Sequence, residues 1–184
     1  MGTTVLVEGL FYNPPARRKF LKRDATEAAA CRAVVEKLAV ANPPIAIRFT
    51  SDGEEKLATT GNGDLQGAVA DAFRSVFAKG LIAVDGEAEE VSVHGFVSAP
   101  DAAKGKSTAQ SSFVNGRYVV FKTVQAALKE AFKSYIPHDR YPASVLFITV
   151  PPKFVDVNVH PAKTEIKFAN ERLVYEAVYY AVRS

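Results

Sequence analysis

The chain has 184 residues, 48% of them hydrophobic and 23% charged, with a formal net charge of +3. That is an ordinary globular composition, long enough to bury a sizeable core in one domain or one and a half. Cys31 is the only cysteine, which excludes an internal disulfide and a cysteine-based zinc site. No apolar run has bilayer length and the first residues lack a signal-peptide core, so a cytosolic location is the default expectation.

Residues 3–8 read as a strand. The basic, proline-bearing stretch 12–23 cannot begin as a regular element. Asp24 or Thr26 can cap a helix running to about Ala41, with Cys31, Val34, Val35 and Leu38 as its inward stripe. On that reading Cys31 is a buried, inert thiol. Asn42-Pro43-Pro44 stops the helix. Ile45, Ile47 and Phe49 alternate, Asp52-Gly53 turns, and Leu57–Thr60 returns as a hairpin partner. Gly61-Asn62-Gly63 is the best linker candidate. A short helix follows, with Leu65, Val69, Ala72 and Phe73 on one face.

Leu81–Asp85 and Val91–Ser98 make a second possible hairpin around Asp85-Gly86. Residues 100–108 read as a mobile loop. Ser111–Val120 reads as one strand. A helix over Lys122–Tyr135 turns Val124, Leu128, Ala131, Phe132 and Tyr135 inward. Val145–Val150, Val155–Val159 and Glu165–Phe168 are strands. The last helix, Glu171–Arg183, rests on Leu173, Val174, Ala177, Val178 and Ala181. From residue 64 onward, strands and helices alternate over one sheet, a two-layer α/β arrangement. The first 60 residues give a strand, a helix and a hairpin, which looks like the tail of something larger.

Charge is unevenly spread. Residues 11–23 hold Arg17, Arg18, Lys19, Lys22 and Arg23 without an acid, and residues 104–122 hold Lys104, Lys106, Arg117 and Lys122 without one. Acids gather at Asp85–Glu90. Lys122, Lys129 and Lys133 fall within an arc of about 40° at ~100° per helical residue, with Arg117 on the strand before. Such a face is either a solvated helix surface or a track for a phosphate backbone. His94, His138 and His160 are scattered without a second ligand at metal spacing. No nucleophile triad or carboxylate pair is present at a plausible spacing.

The densest pattern is Val155-Asp156-Val157-Asn158-Val159-His160-Pro161-Ala162-Lys163, followed by Ile166 and Phe168. Valines alternate with polar residues, Pro161 ends the ladder, and Lys163 sits on a tight connection between two strands. The string D-V-N-V-H-P-A-K resembles the signature of MutL-type DNA mismatch repair proteins. Gly2-Thr3-Thr4-Val5 and Asn13-Pro14-Pro15-Ala16-Arg17-Arg18-Lys19-Phe20-Leu21 are similar to that family's G-T-T-V strand and N-x-P-A-R-x-K-F-L segment. Phe113-Val114-Asn115-Gly116-Arg117 is similar to its V-N-x-R strand. The three stretches keep the family's order and spacing over nearly the whole chain.

The family resembles the wider GHKL ATPases, whose pocket needs a metal-holding Asn, an acidic base, a D-x-G-x-G segment and a glycine-rich lid. None of these motifs occurs here. The resemblance therefore implies that residues 1–60 are the C-terminal remnant of an ATPase domain. Residues 61–184 are then a transducer domain of the ribosomal-protein-like βαβ fold. It implies ATP and Mg as cofactors of the intact parent, and no cofactor or catalysis for this chain alone. By the same resemblance Lys163 reaches toward the γ-phosphate, as catalytic and cofactor-binding residue, and Thr3 lies beside the adenine site. Arg17, Arg18 and Lys19 belong to the P-A-R-x-K segment, either in ligand contact or in a basic loop packed on its own domain. Expected partners are double-stranded and mismatched DNA held weakly by Arg117, Lys122, Lys129 and Lys133, mismatch-recognition and downstream repair proteins, and a second copy in the parent, with no membrane. The expected location is cytoplasmic and nucleoid-associated in a bacterium. A stand-alone ribosomal-type nucleic-acid module and an independent small enzyme are the rival readings.

Overall fold

The computed structural model describes residues 2–13, 15–156 and 167–184. A short helix α1 (Pro15–Arg18) and a long helix α2 (Asp24–Ala41) precede a hairpin of β1 (Arg48–Ser51) and β2 (Glu54–Ala58). That hairpin closes on Asp52 (φ 52°) and Gly53 (φ 78°), the left-handed pair that a two-residue turn needs. Helix α3 (Leu65–Ala72) leads to β3 (Leu81–Ala88) and β4 (Val91–Ser98). Then come β5 (Gln110–Val114), β6 (Arg117–Val119), α4 (Lys122–Phe132) and β7 (Ser144–Thr149). Two-residue strands β8 (Val155–Asp156) and β9 (Lys167–Phe168) pair with each other, and α5 (Glu171–Arg183) ends the fold.

Five strands form one sheet in the order β3-β4-β7-β5-β6. The β5–β7 pair is parallel, and its crossover carries β6 and α4; the other pairs are antiparallel. This is the mixed α/β class expected from the alternation of elements. Strand β7 lies between β4 and β5 and is buried on both faces. Leu146 and Ile148 join a core with Val124, Leu128 and Phe132 of α4 and Val174 and Val178 of α5. Val145, with half-buried Phe147, joins the opposite core, which includes Phe113 and also Ala39 and Val40 of α2, Leu57 of β2 and Val69 and Ala72 of α3. The Phe113 and Phe147 rings stack at 4.7 Å. The two-layer unit of α4 and α5 on the sheet is thus backed, on the sheet's second face, by the N-terminal elements.

Several sequence expectations change. Residues 3–8 are extended and exposed and form no strand, because no described strand lies beside them to complete a ladder; Val5, Leu6 and Val7 are 80%, 79% and 72% exposed. Cys31 is exposed, as are Val34 and Leu38. Apolar side chains surround the alanine-rich α2, so periodicity picks no unique face, and the buried residues are Ala39 and Val40 near its end. Asp85-Gly86 is no turn. β3 runs straight through it, and the chain reverses at Glu89-Glu90, where Glu89 has φ 52°. Ser111–Val120 is two strands, split at Asn115-Gly116. Tyr135 lies beyond the end of α4 and is exposed. Residues 100–108 hold two 3-10 turns, a buried Ala102 and a backbone bridge from Lys104 to Tyr141 in place of an unstructured loop. The predicted strand Val155–Val159 is observed over Val155–Asp156, and the rest of it lies outside the described residues.

Gly86 lies against α5. A Cβ there would stand 2.7 Å from the Ala181 Cβ, closer than packed carbons allow. Gly86→Ala is expected to cost about 1–3 kcal/mol by overpacking. Gly105→Ala, with nothing within 4 Å of its added carbon, is expected to stay within about 0.5 kcal/mol of the parent. Urea melts of the two variants would check this, and equal midpoints would show that α5 yields freely.

Candidate nucleic-acid interface

The strand-end dipeptide Asn115-Gly116 joins β5 to β6 with both residues left-handed, at φ 47° and 79°. Asparagine tolerates that conformation better than most residues, and glycine has no Cβ to oppose it. Here the asparagine also grips the neighbouring chain. The Val150 N–H donates to Asn115 Oδ1 (3.0 Å), and Asn115 Nδ2 donates to the Val150 carbonyl (2.9 Å). The Asn115 N–H donates to the Ile148 carbonyl (3.0 Å). Opposite bond polarities at the two amide atoms fix the amide orientation. The exit of β7 is thereby fastened to the β5–β6 turn.

Beyond Val150 the chain passes Pro151 and a 3-10 turn (Pro152–Phe154) to β8. The β8–β9 pair, Val155 with Phe168 and Asp156 with Lys167, closes the base of the segment that contains Lys163. Residues 157–166, with His160 and Lys163, lie outside the described residues. Phe168 is buried, its ring 4.7 Å from that of Phe121, and Phe121 immediately precedes α4.

On α4, Val124, Ala127, Leu128, Ala131 and Phe132 face the core, so the helical spacing turns Lys122, Lys129 and Lys133 outward. All three are exposed, as is Arg117 on the edge strand β6. They are not equivalent. Lys133 pairs with Glu130 at 3.1 Å, one turn back on its own helix. Lys129 Nζ lies 5.6 Å from the Tyr141 ring centroid. Arg117 and Lys122 meet no carboxylate at ion-pair distance among the described residues. Lys122 opens the helix, where a cation opposes the macrodipole, and no acid stands in the first turn. Glu171 of α5 supplies one from outside, accepting from the Thr123 hydroxyl at 2.6 Å.

The other sequence candidates lie apart from this face in chain and element. Thr3 is in the exposed N-terminal stretch. Arg17 and Arg18 are on α1 and Lys19 follows it, all exposed. Below the outer end of α4, a cavity of about 360 Å³ is bounded by Lys129, Lys133, Ile136, Arg140 and Tyr175. Burial, and secondarily the charge of Glu130, hold the Tyr175 phenol above its ordinary range, so it is a neutral wall. Sequence reasoning missed the Asn115 grip and this cavity. An Asn-Gly pair between two apolar runs signalled the first; nothing in the sequence signalled the second.

The fold is thus a five-stranded mixed sheet carrying two amphipathic helices, with a short antiparallel pair after the central strand. The profile of the DNA mismatch repair protein C-terminal domain matches residues 69–184, so the chain belongs to the MutL-type DNA mismatch repair family. It is 41% identical to the DNA mismatch repair protein MutL of Caldanaerobacter subterraneus subsp. tengcongensis, over 99% of this chain and 31% of that protein. It is 46% identical to MutL of Symbiobacterium thermophilum, over 99% and 29%. The chain thus spans about three-tenths of the length of these relatives. Among solved structures, the N-terminal domain of a DNA repair protein superimposes with a TM-score of 0.73 at 23% identity, covering 94% of this chain and 57% of that one. The Aquifex aeolicus MutL ATPase domain complexed with ADP gives 0.61 at 24%, covering 91% and 54%. At those identities the structures establish the fold alone.

Asn115→Ala is expected to destabilise the fold by about 2–3 kcal/mol, roughly one per lost hydrogen bond plus the left-handed strain of a Cβ without a polar partner. Asn115→Gly removes the grip and not the backbone freedom, so it is expected to lose less than the alanine variant. Denaturant melts of both variants measure the two contributions separately. An alanine variant as stable as the parent would show that the grip contributes nothing.

Proposed function

We propose that this chain is the part of a MutL-like mismatch repair protein that couples nucleotide state in an adjoining ATPase portion to dimer closure and DNA binding. Residues 1–60 are the end of the ATPase domain, and residues 61–184 are the transducer domain. The observation that carries this reading is the Phe121–Phe168 contact. It joins the base of the segment holding Lys163 to the first turn of the helix that bears the basic face. A shift of the β8–β9 base is therefore felt where Lys122 begins α4.

Membership of the family supports ATP and Mg as the cofactors of the whole protein. Among the described residues no group of three or more acidic, histidine or cysteine side chains is placed to hold a metal. A bound nucleotide would supply a phosphoryl group whose charge the Lys163 ammonium would neutralise. Thr3 would lie beside the adenine base, and Arg17, Arg18 and Lys19 would either contact the ligand or form a basic loop packed on their own domain. The partners are duplex DNA, mismatch-recognition and downstream repair proteins, and a second copy of the whole protein. No helix of the described residues is long and apolar enough to cross a membrane, and the proposed setting is the bacterial cytoplasm at the nucleoid.

For DNA, Arg117, Lys122, Lys129 and Lys133 give weak, sequence-independent attraction to phosphates. With three phosphates neutralised, the slope of log affinity against log salt is expected near −2.7 for duplex, from about −0.9 per phosphate. Lys122→Glu, Lys129→Glu and Lys133→Glu together are expected to abolish binding in a fluorescence-anisotropy titration. Binding unchanged by the triple variant would make this a solvated face and remove DNA from the assignment.

For the nucleotide, the chain alone is expected to bind no ATP analogue at micromolar concentration. In the whole protein, Lys163→Ala is expected to lower ATP turnover roughly a hundredfold, the effect of losing about 3 kcal/mol of transition-state stabilisation. The melting of this chain should move by no more than about 0.5 kcal/mol. Steady-state turnover and a thermal melt decide it. Unchanged turnover would take Lys163 out of the mechanism, and a large stability loss would make it structural.

A further inference from the structure

The cavity at the outer end of α4 is unlike the basic face beside it. Its floor is Ala126, Ile136 and Pro137 with the neutral Tyr175 ring as a wall, and its rim carries Lys129, Lys133 and Arg140. Glu130 also lines it and pairs with Lys133 at 3.1 Å, so these two charges offset one another and Lys129 and Arg140 are the rim's net cations. Asp139 is exposed next to Arg140, and His138 adds a further nitrogen to the rim. Arg140 meets no carboxylate at ion-pair distance among the described residues. Arg140 also borders a second cavity of about 390 Å³, whose wall includes Lys79 and Lys104. Asp101 lines that second cavity too and pairs with Lys79 at 3.0 Å, so beyond the first cavity the added cation is Lys104.

We propose that this cavity is a docking site for a partner protein through an acidic peptide segment carrying a short apolar anchor of one or two residues. The volume of about 360 Å³ lies at the low end of ligand pockets, which run roughly 300–1,000 Å³. It suits a side chain or two, not a drug-sized molecule. An apolar floor under a cationic rim matches a leucine or phenylalanine flanked by Asp and Glu. A nucleic-acid backbone is the poorer match. Phosphates seek donors along an open track, and the floor offers an inserted base no side-chain group to read. The site is additional to the proposed DNA face and shares with it only Lys129 and Lys133.

The test uses residues 1–184 and a fluorescein-labelled peptide of leucine-phenylalanine flanked on each side by an aspartate and a glutamate. Ala126→Trp fills the cavity and leaves every cation in place; Ala126 is exposed, so the indole displaces no core group. Arg140→Glu reverses one rim charge without touching the floor. Saturable anisotropy binding is expected, about tenfold weaker in either variant and for a peptide with serines in place of the anchor, each a loss near 1.4 kcal/mol. Duplex DNA binding of Ala126→Trp should equal that of the parent. Circular dichroism verifies that both variants fold, and Arg140→Glu decides alone if the tryptophan does not. The proposal is overturned if the peptide fails to saturate at millimolar protein. Indifference of the peptide to the folded variants overturns it equally. So does a single-stranded oligonucleotide that displaces the peptide and is itself lost with Ala126→Trp, which would assign the cavity to nucleic acid.

Discussion

Burial of β7 on both faces is the constraint on which the remaining architecture depends. A strand whose alternate residues, Val145 and Phe147 against Leu146 and Ile148, must all leave water requires cover on each side. Helices α4 and α5 supply one layer. The other comes from α2, α3 and the β1–β2 hairpin, so the N-terminal elements are bound into the sheet's energetics. At about 25 cal/mol per Å² of apolar surface removed from water, such two-sided cover outweighs any single polar contact in the molecule. The mixed sheet follows too. β5 runs parallel to β7, because β6 and the α4 crossover bring the chain back to the end of the sheet at which β5 began.

How much of this was legible depends on whether local pattern and tertiary packing agree. In α4 and α5 they do: each has one apolar stripe, and the residues read as inward are buried, save Tyr135 just past α4 and the half-buried Leu173. Glycine dipeptides were less faithful. Asp85-Gly86 has a turn's composition, yet β3 pairs straight through it, from Leu81 with Ser98 to Ala88 with Val91. Gly86 is needed for the approach of Ala181, a requirement set by an element nearly a hundred residues away. The true reversal falls at Glu89-Glu90, which no propensity marks. Asn115-Gly116 was passed over because the flanking residues continue one alternation. In α2 the alanine-rich sequence leaves periodicity without a unique face, and the assignment of Cys31 to the core failed.

The candidate site was legible in its surface and not in its supports. Arg117, Lys122, Lys129 and Lys133 are exposed where helical spacing and strand ends place them. The sequence could not reveal that Lys133 is partly answered by Glu130, or that Glu171 reaches across to Thr123. The first depends on the rotamers chosen at the end of α4, and the second on how α4 and α5 lie together. The Phe121–Phe168 contact is similar: each ring reads as core, but only the fold makes them neighbours and so relates two motifs far apart in sequence.

The grip of Asn115 on Val150 has a mechanical meaning. A residue held through both its N–H and its C=O cannot turn about the chain axis, and the two prolines that follow are stiff at φ. Val150, Pro151 and Pro152 therefore behave as a boom bolted at one end, whose bearing is set by the β5–β6 hairpin. Force on the segment it leads to would be carried into the sheet, not absorbed at a soft joint. The asparagine of one sequence motif thereby sets the bearing of β8, forty residues farther along.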